Sequence, residues 1–356
     1  MAKFSMIPHR AMLQNRLSVV LVVVVVVAVL FLERQIHQLN YSLRRIEETL
    51  EKSNSRRMRS TPSIVSKSST DEFVVIYNRV PKTGSTSFTG IAYDLCHSNR
   101  FNVLHINTTR NMHTMSVADQ MKFVHNVTSW TAKKPAFYHG HLAFIDFGSF
   151  GSSQQPLYIN IIRRPLDRLV SYYYFLRNGD DLRPKLRRAR QQGSTYKETF
   201  DQCVARRGYD CSEQKLWIQV PFFCGHAQEC WVPGSRWALE QAKFNLANHY
   251  MLVGVTEEME EFVIMLESAL PSMFRGAVEL FRTGQKSHLR KTSHKLDPSE
   301  ETVKFFQSSP IWEVEEEFYN FVLDNFHMQK KRSLKTVDGA VVPISGQFLY
   351  EKIRPK

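Results

Sequence analysis

Five short apolar runs punctuate the latter part of the chain, at residues 73–78, 101–106, 136–141, 157–162 and 249–255. Each is rich in β-branched or aromatic residues and is bounded by polar or glycine-bearing segments, the pattern of a strand buried on both faces. Longer stretches with helical spacing of apolar residues separate them. This alternation predicts a mostly parallel sheet flanked by helices, an α/β architecture, and no internal repeat interrupts it. Near the end, residues 311–326 present one apolar helical face. Residues 341–350 form a β-prone tail that needs a partner surface, on its own domain or on a neighbouring subunit.

Upstream the pattern changes. Residues 17–32, LSVVLVVVVVVAVLFL, are sixteen uninterrupted apolar or small residues, slightly short of the ~20 that span a typical bilayer. Lys3, Arg10 and Arg16 precede them, so the positive-inside rule puts residues 1–16 in the cytosol and the rest of the chain across the membrane. No small-x-small cleavage site follows Leu32, which favours a signal anchor over a cleaved signal peptide. Ile36, Leu39, Leu43, Ile46 and Leu50 then form a short heptad seam, suited equally to self-association and to a solvated single helix. Residues 53–70, rich in Ser, Thr and Arg, read as a flexible spacer. Residues 33–70 are therefore a stem, and the folded domain occupies residues 71–356.

The formal net charge of +13 favours polyanionic partners. Topology narrows the choice: beyond the anchor no nucleic acid is available, whereas a sulfated or carboxylated glycan is. Sequons at Asn40, Asn107 and Asn126 all follow the anchor and are usable only in the secretory lumen. Four of the five cysteines, Cys203, Cys211, Cys224 and Cys230, crowd into one window, which in an oxidising compartment predicts two short-loop disulfides. Pairing of nearest neighbours, Cys203 with Cys211 and Cys224 with Cys230, is expected because short loops close most readily. A zinc site is the alternative, but the spacings lack a C-x2-C pair. Cys96, in the helical-looking run FTGIAYDLC, is expected to be a buried free thiol.

Two stretches carry the chemistry: VVIYNRVPKTGSTSF (residues 74–88) and LYINIIRRPLDRLVSYYYF (residues 157–175). In each, an apolar strand stops at a basic or glycine-bearing turn and restarts as a helix, which is how a parallel α/β fold builds adjacent phosphate pockets. Gly84 permits a tight turn, Ser85, Thr86 and Ser87 offer amides and hydroxyls at a helix N-terminus, and Lys82 adds a full charge. A Walker A loop would have its lysine after the glycine, so triphosphate cleavage is disfavoured. In the second stretch Arg163 ends a strand, Pro165 opens a helix, and Ser171 lies where it can share one phosphate with Arg163. Arg168, Tyr172, Tyr173 and Tyr174 are read as packing residues.

At these residues the sequence resembles the sulfotransferases that use 3′-phosphoadenosine 5′-phosphosulfate (PAPS). That resemblance implies that Lys82, Thr83, Gly84, Ser85, Thr86 and Ser87 hold the 5′-phosphosulfate, and that Arg163 and Ser171 hold the 3′-phosphate. One departure stands out: the family usually reads R-D-P after the strand, and here Arg164 occupies the acid's place, which puts the capping of the following helix in question. From about residue 73 onward, YNRVPKT, SFTGIAYDLC, VLHINTT, FYHGH, PFFCGH, LVGVTEE and TGQKSHLRKT are similar to the heparan sulfate 2-O-sulfotransferases. Membership would imply a single-pass type II Golgi membrane protein, homotrimeric, with heparan sulfate as partner and no metal.

His139 and His141 lie two apart in FYHGH, so on a strand both imidazoles would face one way. A sugar hydroxyl loses its proton as it attacks sulfur, and neutral histidine, with an ordinary pKa of about 6.5, suits the base. The resemblance assigns the base to His141, a supporting role to His139, and stabilisation of the leaving phosphate to Lys82. It also implies acceptor contacts from Arg79, Tyr93, His105, Arg110, Arg183, Arg188 and Arg290, several of them arginine forks matched to carboxylate or sulfate. Two rival readings remain at this level: a uronyl 2-O-sulfotransferase acting on dermatan or chondroitin sulfate, and a non-catalytic heparan-binding homologue. Retention of Lys82, His141, Arg163 and Ser171 together argues against the second.

Overall fold

The computed structural model describes residues 73–179, 198–284 and 295–344, all within the unit Ser68–Lys356. The expected anchor, stem and Asn40 lie outside these residues, as do Arg183, Arg188, Arg290 and the end of the C-terminal tail. Among the described residues no helix is long and apolar enough to cross a membrane.

All five expected strands are present and form one parallel sheet: β1 (Val74–Asn78), β2 (Asn102–Ile106), β3 (Ala136–Gly140), β4 (Leu157–Ile162) and β5 (Tyr250–Val255), in the order β2-β3-β1-β4-β5. Helices cover the sheet because both of its faces are apolar: every residue of β1 and β3 is buried. The helices that matter for the site are α1 (Ser85–Leu95), α2 (Val117–Ser129), α3 (Pro165–Asn178), α4 (Gln219–Cys224), α5 (Arg236–His249), α6 (Met259–Ala269) and α7 (Pro310–Ser333). Local signals start them. Ser116 and Ser235 accept from Asp119 N–H and Ala238 N–H at 3.1 and 3.2 Å, and Pro165 and Pro310 occupy first-turn positions. The apolar face of residues 311–326 becomes Val314, Phe318, Tyr319, Val322 and Phe326, all buried, and Lys330, Lys331 and Arg332 suit the helix's negative C-terminal end.

The chain runs one way from β1 to β2 and the other way from β4 to β5, so a crevice opens at the C-terminal ends of β1 and β4. Their paired register stops at Tyr77↔Ile159. Beyond it the strands part, and side chains replace the backbone ladder: Asn160 Nδ2 donates to Asn78 O at 2.8 Å and to Asn78 Oδ1 at 3.0 Å, Tyr250 hydroxyl donates to Asn78 Oδ1 at 3.0 Å, and Asn78 Nδ2 donates to Phe222 O at 3.1 Å. Buried polar groups satisfied in this way rigidify the floor under the crevice.

A second cluster, Leu169, Val170, Tyr173, Tyr174, Phe200 and Phe306, packs behind α3. Arg168 belongs to the packing, as expected: it is 3% exposed and donates to the carbonyls of Lys215 and Leu216. Both expected disulfides, Cys203–Cys211 and Cys224–Cys230, are formed, so no thiolate in that window is left for zinc. Cys96 is free but only half-buried, contrary to expectation, because it sits just past the end of α1 with its thiol donating to Tyr93 O at 3.1 Å. In the tail, β6 (Leu334–Val337) and β7 (Ala340–Pro343) pair antiparallel across Asp338 and Gly339, both at positive φ as a two-residue hairpin turn requires. The partner of residues 340–343 is thus the preceding segment of the same chain.

Candidate active site

The crevice holds a cleft of ≈ 700 Å³ walled by Arg79, Pro81, Lys82, Gly84, Ser85 and Thr86 from the β1–α1 turn, by Arg163, Ser171, Tyr172 and Phe175 from β4 and α3, and by His105, Asn107, Asn111, His113 and His141 from the β2 and β3 ends. Among the described residues its walls carry three cations and three imidazoles and no carboxylate. Such a composition concentrates anions.

The β1–α1 turn is built for that role. Gly84 caps α1 at φ 74°, and Lys82 also adopts the left-handed conformation at φ 71°. Such a φ costs a non-glycine residue of order 1–3 kcal/mol. Thr83 is wholly buried and its hydroxyl donates to Val80 O at 3.1 Å, holding the turn shut. Lys82, Gly84, Ser85 and Thr86 line the cleft, whereas the side chains of Thr83 and Ser87, also expected at the donor, are buried and are not part of its wall. The Lys82 ammonium lies 4.1 Å from the centre of the Phe175 ring, linking this turn to α3.

On α3, Ser171 and Phe175 come to one wall because spacing by four stacks side chains on a helix face, and Arg163, between β4 and the helix, joins them there. Tyr172 joins them, which corrects its reading as a packing residue; Tyr173 and Tyr174 are buried as expected. Arg164 supplies no side-chain cap to α3. Glu257, from the β5–α6 connection, instead holds the residue at the helix start, its Oε1 accepting from Arg164 N–H at 3.1 Å and its Oε2 from the Tyr319 hydroxyl at 3.3 Å.

Strand β3 ends at Gly140, where an added Cβ would stand 2.6 Å from Ile106 O. The end of the strand breaks the alternation that was expected to aim both histidines one way. His139 is 3% exposed and off the cleft wall, its Nε2 3.0 Å from the Tyr93 hydroxyl and its ring stacked 4.9 Å from that of His105, its partner in register on β2. His141 does reach the cleft. Its Nδ1 lies 2.8 Å from Arg79 O, and since a carbonyl only accepts, Nδ1 carries the proton and Nε2 keeps its lone pair.

His113, unforeseen because it has no periodic relation to the other site residues, donates from Nδ1 to His141 O at 3.2 Å, while Ala143 N–H donates to His113 O at 2.8 Å. His226 fastens the same two loops, accepting from Met115 N–H at 3.0 Å and donating to Ala143 O at 3.3 Å. The base-bearing loop is thus held at His141 and at Ala143.

Burial, with the nearby Arg79 guanidinium, pushes His139 and His141 down to about 3, and burial pushes His226 to about 4. His141 is therefore the neutral base throughout the mildly acidic range, and the acidic limb of kcat/KM is expected well below about 6.5, the ordinary histidine value. An anion held in the cleft opposes Arg79, so the limb of kcat at saturating donor should lie at higher pH than that of kcat/KM; the two pH–rate profiles check both statements. Stability has the same sign. The unfolded state takes up protons first as pH drops below about 6.5, so the contribution of these histidines, full above that pH, is lost as pH falls towards their folded values.

Of the expected acceptor contacts, Arg79 and His105 line the cleft, Tyr93 stands beside it through His139, and Arg110 sits at φ 56° on the turn next to Asn111. Asn107 and Asn126 are both exposed, and Asn107 also borders the cleft. Among the described residues no group of three or more His, Cys, Asp or Glu is placed to hold a metal ion.

Among the described residues, an acid-free cleft with a base kept in its lone-pair form is suited to an anionic ligand held beside a proton acceptor. The sulfotransferase family model matches residues 68–331, and the chain belongs to that family. It is 54% identical over 353 residues to heparan sulfate 2-O-sulfotransferase 1 of Gallus gallus, covering 98% of each chain, and 52% identical over 353 residues to that of Homo sapiens, again covering 98% of each. It is also 54% identical over 302 residues to the heparin sulfate O-sulfotransferase of Drosophila melanogaster, spanning 83% of this chain and 84% of that one.

Proposed function

We propose that the protein transfers the sulfuryl group of PAPS to the 2-hydroxyl of uronic acid, mainly iduronate, in heparan sulfate. The observation that carries this reading is His141, its Nδ1–H committed to Arg79 O and its Nε2 left as a base, in a cleft walled by Lys82 on one turn and Arg163 on the next. The relatives' names supply the acceptor and the position.

In the proposed step the acceptor oxygen forms a bond to sulfur as the bond from sulfur to the bridging phosphate oxygen breaks. The hydroxyl proton passes to His141 Nε2. The electron pair of the broken bond stays on the phosphate, where Lys82 and the α1 N-terminus stabilise it. Arg79 and His105, with Arg183, Arg188 and Arg290 outside the described residues, hold the polyanionic acceptor, and His139 and Tyr93 support the wall beside it.

The same reading makes residues 17–32 a Golgi anchor, puts the catalytic domain in the lumen and assembles three copies. Two disulfides in one domain agree with an oxidising compartment. Incubation with PAPS and either N-sulfated heparan precursor or dermatan sulfate, followed by disaccharide analysis, tests donor, acceptor and position together. Disaccharides carrying 2-O-sulfated iduronate are expected from heparan. Product from dermatan alone would move the acceptor to that glycan, and product from neither would end the reading.

A further inference from the structure

Arg163 stands where β4 has ended and α3 has not begun, and a single side chain hydrogen-bonds both its backbone N–H and its carbonyl. Gln219 Oε1 accepts from Arg163 N–H at 2.9 Å, and Gln219 Nε2 donates to Arg163 O at 2.9 Å. The amide stands in for a strand partner one residue past the last β4–β5 pair, Ile162↔Val255. Pro165, two residues on, has no N–H with which to close a local turn.

The neighbouring peptide groups are held from a distance too. Thr256 hydroxyl donates to Ile162 O at 2.9 Å, and Glu257 accepts from Arg164 N–H.

Gln219 is itself locked. It is wholly buried at the start of α4, and its N–H, with those of Ile218 and Val220, donates to Glu315 Oε1 at 2.9, 2.8 and 3.2 Å. Glu315 is wholly buried on α7, so the longest described helix is tied through three amides and one glutamine to the backbone of the arginine in the cleft. An arginine side chain has several soft torsions, and its reach is defined only when its Cα–Cβ direction is defined. Here that direction depends on the two bonds from Gln219.

We infer that Gln219 is a positioning residue for the donor's 3′-phosphate: it aims Arg163 without touching the nucleotide. The inference rests on the reading of Arg163 as the 3′-phosphate ligand. It says more than that reading, because it makes recognition of one phosphate depend on a glutamine outside the cleft.

The test is calorimetric titration of the full-length chain with adenosine 3′,5′-bisphosphate and with adenosine 5′-phosphate, which lacks the group Arg163 would hold. The unaltered protein prefers the bisphosphate, and Arg163→Ala removes that preference. Gln219→Ala is expected to weaken the bisphosphate ~10-fold, the loss of one or two net hydrogen bonds, and to leave the monophosphate unchanged. KM for PAPS rises in parallel, while kcat at saturating donor and KM for the glycan hold.

In the Arg163→Ala background the same change has no further effect on the preference. Gln219→Glu keeps an acceptor for Arg163 N–H but loses the donor to Arg163 O, so it falls between and serves if the alanine variant does not fold. An undiminished preference in both Gln219 variants, or equal weakening of both nucleotides, overturns the inference and leaves the role of Arg163 standing. A preference that survives Arg163→Ala removes the premise instead.

Discussion

Replacing His141 by alanine is expected to lower kcat by ~10²–10⁴-fold, the usual contribution of a positioned general base, while affinity for adenosine 3′,5′-bisphosphate stays as in the unaltered protein. The separation follows from the geometry. His141 belongs to the β3 end of the cleft, and the turns that would hold the nucleotide come from β1 and β4, so removing the imidazole takes away the proton acceptor and costs those turns only the bond to Arg79 O, three residues before Lys82. Radiolabelled sulfate transfer and calorimetry on the same preparation read the two quantities independently. Turnover near normal in this variant would rule out His141 as the base. Loss of nucleotide binding alongside turnover would mean that His141 shapes the donor pocket as well.

Lys82→Met should reduce kcat by ~10²–10³-fold, comparable to deleting one preorganised donor from a developing oxyanion. Methionine keeps an unbranched stem and removes only the charge, and it meets the same cost at φ 71° as lysine does, so the turn keeps its shape. The ammonium is held against the Phe175 ring near the start of α1, where the proposed reaction would develop negative charge on the leaving phosphate. A stabilising interaction that strengthens along the reaction lowers kcat when deleted, whereas one present equally in the bound state raises only KM. A variant with normal kcat and a raised KM for PAPS would therefore assign Lys82 to binding alone.

Much of the fold was legible because a parallel strand buried on both faces is written as an unbroken apolar run. Residues 157–162 were expected as a strand and form β4 with those bounds; β3 differs only in stopping at Gly140 instead of His141. The two turns that wall the cleft were equally legible as strand–turn–helix units, since Lys82 to Thr86 and Arg163 to Ser171 are local in sequence and need only a strand before and a helix after. The short disulfide loops are local for the same reason.

What escaped the linear reading depends on distant partners. The two-residue spacing of His139 and His141 was taken to share a face, but β3 stops at Gly140, and only His141 lines the cleft while His139 pairs with Tyr93. Tyr172 could have been found from its place beside Ser171 on the helix face; His113, Thr256 and Gln219 could not, because nothing near them in the chain marks them. Arg164 supplies no cap to α3, and the carboxylate that holds its N–H, that of Glu257, comes from another strand's connection.

By itself, then, the amino-acid order determined the α/β class, the two basic strand-to-helix turns and the presence of an imidazole pair, because strand burial, helix starts and glycine turns are properties of short segments. The tertiary structure alone decided which histidine faces the cleft, which of its nitrogens keeps a lone pair, and how Arg163 is aimed. Those outcomes rest on hydrogen bonds to Arg79 O and from Gln219, contacts between residues 62 and 56 positions apart in the chain, and no local propensity encodes a partner at that range.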